Sequence, residues 1–467
     1  MTGVFGVYSN KENCFDELFF GTDYHCHLGT KKGGLAVFDG KRIHRDIHRI
    51  SEHTFRSQFS NCKSWMKGKF GIGVIGDYEP QPLIMDSHLG TYAIIHVGII
   101  NNAKELIGDA HRETNAHFSN MHAGEVNPIE LIATLINKGR SFADGIDIMQ
   151  NRIEGSSSVM LLTKEGIIVA RDGIGRTPIV IGKKAGGTAA AFESCAFPNL
   201  GYKTDRYLGP GEIGIITSGG YRQLMAPRGP SQVCSFLWVY YGFPTSNYEG
   251  INVDEVRHRC GGLLAEKDIA DGLEVDFAAG IPDSGTAHAI GYSNRAKIPF
   301  KIPYHKYTPT WARSFMPQDQ SMRDMVASMK LIPNRALIDG KKILFCEDSI
   351  VRGTQLKKKV KELFDYGAKE VHMRPACPPL IKLCRFLNFS RSRDEFDLAT
   401  LRAMRKIEGT TDFDVNQYLD EDSEKHKRMV DVIRQELGLT SLRFQRIDDM
   451  VKAIGLPKEK LCLGCWK

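Results

Sequence analysis

Ile343-Leu344-Phe345-Cys346-Glu347-Asp348-Ser349-Ile350-Val351-Arg352-Gly353-Thr354 is the stretch from which the rest of the chain is read. Its apolar opening reads as a buried strand that delivers two adjacent carboxylates to its end. A loop of small and hydroxylic residues follows, and GTQLKKKVKELFDYG has the spacing of an amphipathic helix. Loop N–H groups and a helix N-terminus suit a phosphate, with Ser349 and Thr354 adding hydroxyl donors and Gly353 letting the backbone come close. Two carboxylates cannot bind that phosphate, so they need ribose hydroxyls or Mg²⁺. Phosphate beside vicinal hydroxyls describes a ribose 5-phosphate. The bland alternative is a capped strand–turn–helix with no ligand.

The neighbourhood of this loop supports a parallel α/β sheet. A helix is expected near 253–270, then a short apolar segment and IPDSGTAHAIGYS, and the strand KEVHMRPA follows the loop and its helix. Strands alternating with helices place ligands at the carboxyl ends of the strands. Residues from about 390 to 452 read as charged amphipathic helices. The pattern differs before Ala226-Pro227-Arg228-Gly229-Pro230. There GVFGVYS, GGLAVFDGKRI, FGIGVIGDYEPQPLI, GTYAIIHVGII and SSVMLLTKEGIIVAR read as short strands between Gly, Asp and Pro punctuation. Lys164-Glu165-Gly166 marks a hairpin turn, and NPIELIATLINKG a helix with proline near its start. Two domains are expected, 1–229 and 230–467.

At 467 residues the chain exceeds the size of one hydrophobic core. With 42% apolar and 25% charged residues it has ordinary globular composition. No stretch approaches the roughly 18 apolar residues of a membrane span, and the N-terminus lacks the pattern of a secretory signal. The expectation is a cytoplasmic protein with no membrane partner. A net charge of +7 is too dilute to argue for nucleic acid. The densest lysine runs, Lys341-Lys342 and Lys357-Lys358-Lys359, flank the decisive loop and fit a local anionic ligand, or else a solvated helix face. Eleven cysteines in such a chain argue against a disulfide framework, but Cys462-Leu463-Gly464-Cys465 stands apart as a terminal CxxC.

EDSIVRGT resembles the ribose-phosphate loop of type I phosphoribosyltransferases, and more narrowly that of the glutamine phosphoribosylpyrophosphate amidotransferases. Ile281-Pro282-Asp283-Ser284-Gly285 resembles that family's pyrophosphate loop, and Arg313-Ser314-Phe315 its flexible lid. GGLAVFDG, VARDGIGRTPIVIG, FESCAF and GPGEIGII are similar to its amidotransferase domain. The resemblance implies an N-terminal αββα domain of the N-terminal-nucleophile type, followed by a type I phosphoribosyltransferase domain with a mainly parallel sheet. It implies displacement of pyrophosphate from C1 of phosphoribosyl pyrophosphate by an amine, in purine nucleotide synthesis. The implied binding residues are Asp283, Ser284, Gly285, Arg313, Glu347, Asp348, Ser349, Arg352, Gly353 and Thr354, with Ser284, Glu347 and Asp348 near Mg²⁺. Glu347 stands where the family has aspartate, and Tyr307-Thr308-Pro309-Thr310-Trp311 departs from its lid pattern. A homo-oligomer and purine nucleotide effectors follow by resemblance only.

Cys234, Cys384, Cys462 and Cys465 fall where one subset of the family binds a structural 4Fe–4S cluster. Zinc is the runner-up, because it accepts the same four thiolates.

The amidotransferase half departs further. Thr2 holds the position of the family's nucleophilic cysteine. Val74-Ile75-Gly76-Asp77 replaces a motif whose arginine binds the glutamine carboxylate. His96-Val97-Gly98 replaces His-Asn-Gly, whose Asn and Gly form the oxyanion hole. Asn127-Pro128-Ile129-Glu130 replaces Ser-Asp-Thr-Glu, whose Asp binds the substrate amine. Loss of one oxyanion donor alone typically costs about 10² to 10³ in rate. The expected enzyme therefore takes free ammonia or a partner's amine, and Thr2 is expected to be inactive. The alternatives are a non-catalytic regulatory paralogue that binds phosphoribosyl pyrophosphate or nucleotide and, more weakly, glutamine hydrolysis through Thr2.

Overall fold

The computed structural model describes residues 1–114, 117–122, 124–307, 331–387 and 394–467. Period-two alternation in the first half builds two stacked antiparallel sheets. The seven-stranded sheet runs Lys203–Tyr207, Val180–Lys184, Gly187–Ala191, Thr2–Ser9, Phe70–Gly76, Lys32–Phe38 and Ile43–Arg49. The six-stranded sheet runs Gly220–Met225, Ile213–Thr217, Gly166–Ala170, Gly155–Thr163, Tyr92–Ile100 and Leu83–Met85.

Alternate residues of these strands belong to different cores, as a pleat demands. Val4 and Tyr8 pack inward with Ala93, Ile95, Val97, Met160, Leu162, Ile167 and Val169 of the other sheet. Phe5 and Val7 face outward onto Phe15, Leu18 and Phe19 of the helix Phe15–Asp23. On the far side Ile94, Val159, Leu161 and Ile168 meet Ile129, Ile132 and Ile136 of the helix Pro128–Ile136. The result is the expected helix–sheet–sheet–helix order. The glycines of FGIGVIG have a packing reason: a Cβ on Gly73 would lie 2.0 Å from Thr22 Oγ1 of the covering helix.

The second half is built on a four-stranded parallel sheet in the order Phe277–Gly280, Lys342–Glu347, Glu370–Pro375 and Ser441–Leu442. Ile343, Leu344, Phe345 and Cys346 are all buried, so the strand reads as a continuous apolar run, not as an alternation. The long helix spans Val253–Ala270 and packs on Thr286–Ala296. Among the described residues no helix is long and apolar enough to cross a membrane.

Candidate functional site

The decisive strand ends at Glu347, and the helix Thr354–Asp365 begins seven residues later. Gly353 makes the turn with φ of 73°, a left-handed conformation that glycine adopts without strain. No side chain caps the helix, so its first-turn N–H groups remain for a ligand. From the neighbouring strand the loop 281–285 comes alongside, and Gly285 N–H donates to Ile281 O at 2.8 Å. Ser284 Oγ donates to Glu347 Oε1 at 2.6 Å, so the two predicted loops touch. Asp348 N–H donates to the same Glu347 oxygen at 3.0 Å, and Ser349 Oγ donates to Asp348 Oδ1 at 2.5 Å.

Ser284, Glu347, Asp348, Ser349, Arg352, Gly353 and Thr354 line one cleft of about 850 Å³. Asp283 stands outside it in an exposed ion pair, with Lys306 Nζ 2.5 Å from Oδ2. Arg352 pairs with Asp397 at 3.0 Å on the cleft rim. Arg313-Ser314-Phe315 and the lid residues 308–311 lie outside the described residues. Burial raises the carboxyls of both Glu347 and Asp348, and for Glu347 the charge of Asp348 adds to it. Among the described residues no basic side chain forms an ion pair with either. Adjacent carboxylates in that setting favour a cation or hydroxyl donors arriving with the ligand.

Sequence reasoning missed Arg257. Its Nε donates to Trp238 O at 3.0 Å, and its Nη2 to Tyr240 O and Gly242 O at 2.8 Å each. It thereby pins the turn Leu237–Tyr241, which brings Tyr240 and Tyr241 to the cleft wall. The available signal was its position in line with Val253, Val256, Cys260 and Leu264 on the buried face of its helix.

Cys234, Cys384, Cys462 and Cys465 all line a second cavity of about 570 Å³. Cys234 and Cys462 sit opposite each other in a short parallel pair, Val233–Cys234 with Leu461–Cys462. Ile381 N–H donates to Cys465 O at 3.0 Å, tying the CxxC to the 380s segment. Cys384 Sγ accepts N–H groups from Phe386 at 3.4 Å and Leu387 at 3.3 Å. The hydrogen bond from Cys465 lowers the Cys384 thiol toward about 7, helped by these N–H groups, while Cys465 and Cys234 are raised. Among the described residues no three His, Cys, Asp or Glu side chains converge closely enough to hold a single ion. Cys377 is buried apart from this cavity.

In the first half the degenerate positions do other work. Thr2 is buried opposite Gly76. Asp77 Oδ2 lies 3.3 Å from the Met1 amine, and its Oδ1 accepts Thr30 N–H at 2.8 Å. A carboxylate so placed repels a substrate carboxylate. Val97 is buried between the sheets and offers no side-chain donor. Asn127 caps its helix, accepting Ile129 N–H at 3.0 Å, and Pro128 opens it.

Glu193, inside FESCAF, joins the halves. Burial raises this carboxyl, but His27 at 3.0 Å, Tyr248 and Ser246 hold it down at about 2. His25 is buried beside it, its Nδ1 2.9 Å from Gly21 O, and burial lowers it to about 4. His96 falls to about 4 and His288 to about 3 for the same reason. Each of the three is neutral when folded and takes up a proton only on unfolding. Stability therefore rises with pH from about 4 to 6.5 and is lost as pH falls through that window. Glu347 and Asp348 act in the opposite sense, so a difference measurement isolates the histidines. His96→Gln is expected to flatten the pH dependence of the unfolding free energy measured by urea titration between pH 6.5 and 4, by up to about 1.4 kcal/mol per pH unit.

An αββα amidotransferase sandwich followed by a parallel-sheet phosphoribosyltransferase is the class that fold and cleft define. A family model described as a glutamine amidotransferase domain matches residues 60–197. An amidophosphoribosyltransferase of Synechococcus elongatus is 30% identical over 93% of this chain and 88% of its own. That of Bacillus subtilis is 28% identical over 99% and 92%. The solved B. subtilis glutamine phosphoribosylpyrophosphate amidotransferase, complexed with ADP and GMP, superposes with a TM-score of 0.84 at 27% identity, covering 100% of this chain and 96% of that one. The chain belongs to the amidophosphoribosyltransferase family, a family of pentosyltransferases.

Proposed function

We propose that the chain binds phosphoribosyl pyrophosphate with Mg²⁺ and replaces its pyrophosphate by an amine, taken as free ammonia, in purine nucleotide synthesis. The meeting of Ser284, Glu347, Asp348 and the uncapped helix start at Gly353 in one cleft carries this reading. Residues 1–229 form the amidotransferase-type domain and 230–467 the transferase domain. Ser284 and the loop at Gly285 hold pyrophosphate, with Arg313 from the lid. Asp283, expected there from the sequence, faces Lys306 outside the cleft and takes no part in this arrangement. Ser349, Arg352, Gly353 and Thr354 hold the 5-phosphate. Glu347 and Asp348 hold the ribose hydroxyls and, with Ser284, the metal, which when bound neutralises the pyrophosphate oxygens.

The amine lone pair forms the C1–N bond as the C1–O bond to pyrophosphate breaks. Positive charge grows at C1, and the flanking carboxylates stabilise it while the loops fix the in-line geometry. Thr2 is not a working nucleophile, because Asp77, Val97 and Asn127-Pro128 stand where the family has its carboxylate anchor, its oxyanion-hole asparagine and its amine anchor, leaving Gly98 alone of the oxyanion pair. The four cysteines hold a structural 4Fe–4S cluster. All four line one cavity, where Cys384 and Cys465 are hydrogen-bonded to each other, and a set of four thiolates suits such a cluster. Zinc, which needs every sulfur about 2.3 Å from one ion, is the runner-up. Purine nucleotides act as effectors on a homo-oligomer in the cytoplasm, with no nucleic-acid partner.

The test is pyrophosphate release from phosphoribosyl pyrophosphate and Mg²⁺, with ammonia and glutamine supplied separately to anaerobically purified protein. Turnover is expected with ammonia, and with glutamine at least about 10³-fold less. Equal turnover with glutamine would restore Thr2 as nucleophile. Silence with both, while the ligand still binds, would leave a regulatory paralogue.

A further inference from the structure

The cavity lined by the four cysteines is faced by a buried cation. Arg176 is only 8% exposed, and among the residues that line this cavity it alone comes from the first 229. Its Nη2 donates to Gln232 Oε1 at 3.0 Å, and its guanidinium carbon lies 3.6 Å from the centroid of the Phe386 ring. Its Nε and Nη1 have no hydrogen-bond partner among the described residues. Buried polar groups are nearly always paired, and a buried charge with two unmet N–H donors calls for an acceptor. Phe386 lines the cavity along with Cys384, so the buried guanidinium stacked on it faces the cavity that the thiols line.

The missing acceptor must be anionic and lie within reach of both the arginine and the thiols. A 4Fe–4S cluster ligated by four thiolates is a dianion whose sulfurs accept hydrogen bonds, and such bonds tune its potential. We propose that Arg176 is an outer donor to that cluster: it neutralises part of its charge and anchors it to the amidotransferase half. This rests on the cluster reading given above. Lys382, Arg385 and Lys467 also line the cavity, but of these cations Arg176 is the one presenting buried, unmet donors; the neutral Trp466 Nε1 is a further buried donor there without a partner.

The test reconstitutes the full-length chain anaerobically with ferrous iron and sulfide, as wild type, Arg176→Gln and Arg176→Lys. Removing a cation disfavours the added electron. Arg176→Gln is therefore expected to lower the ratio of reduced to oxidised cluster at a fixed potential at least tenfold, a shift of about 59 mV for one electron. Its absorbance near 400 nm should bleach several-fold faster in air. Arg176→Lys keeps the charge but not the fork, so it should recover most of the potential and less of the air stability. It also serves as the readout should the Gln variant fail to fold. Variants with wild-type potential and bleaching rate would overturn the proposal and leave Arg176 a packing residue. If wild type itself takes up no iron, the cluster reading falls and takes the proposal with it; wild type and variants then fail alike.

Discussion

Asp348→Asn is expected to lower kcat/KM for phosphoribosyl pyrophosphate by about 10³-fold with ammonia as donor, on the scale of removing a principal electrostatic group from an active site. Asparagine keeps the shape and can still accept from Ser349 Oγ, so the change isolates the charge. That charge is assigned the ribose hydroxyls and the metal, and it stabilises the positive centre at C1. Loss should appear in kcat as well as KM, because the need for negative charge grows toward the transition state. The folded protein should gain from the same change. Asp348 is 6% exposed, and burial raises its carboxyl, so without ligand its ionised form is a net cost to the fold. An unchanged or raised thermal midpoint with collapsed turnover is the signature of a residue kept for function. Turnover within tenfold of wild type would remove this loop from the site.

The two halves were legible for different reasons. In the sandwich, apolar runs between Gly, Asp and Pro mark the strands. The sorting of Val4 and Tyr8 from Phe5 and Val7, and the helix lying close on the glycines of FGIGVIG, appear only in the structure, because both faces of these strands are apolar and buried. In the transferase half the Val253–Ala270 helix and the strand ending at Glu347 carry local signals of cap, apolar run and turn. The cleft was legible because its residues lie in two short loops. What escaped notice depends on partners far apart in the chain. Arg257 acts on a turn 15 to 19 residues before it, Glu193 on His27 and Tyr248, and Arg176 on a cavity built after residue 230. Each looks locally like an ordinary charge on a helix, strand or loop. Only burial shows that its donors or acceptors have been committed elsewhere.

Cys384→Ser is expected to abolish stable cluster binding and to lower the apparent thermal midpoint by about 10 °C, since energy of metal binding is energy of folding when the site forms only in the native state. The tail explains the size of the effect. Leu461 pairs with Val233, Trp466 packs 5.7 Å from Phe236, and the carbonyl of Cys465 receives Ile381 N–H, so a cluster held by the four cysteines would cross-link three segments that already meet though remote in sequence. The consequence should reach the substrate. Phe236, Lys382, Leu383, Cys384 and Cys465 line both the thiol cavity and the phosphoribosyl cleft, so the two share a wall. Loosening that wall should raise KM for phosphoribosyl pyrophosphate more than it lowers kcat, because no cysteine touches the reacting bond in the proposed arrangement. Iron-free wild type should show the same midpoint and the same KM, which separates loss of the cluster from any local effect of serine. One zinc per chain, with no iron and with Cys384→Ser losing it, would convert the site to a single-ion clamp and keep the structural argument. A variant indistinguishable from wild type in metal content, midpoint and KM would reduce the four cysteines to buried neighbours.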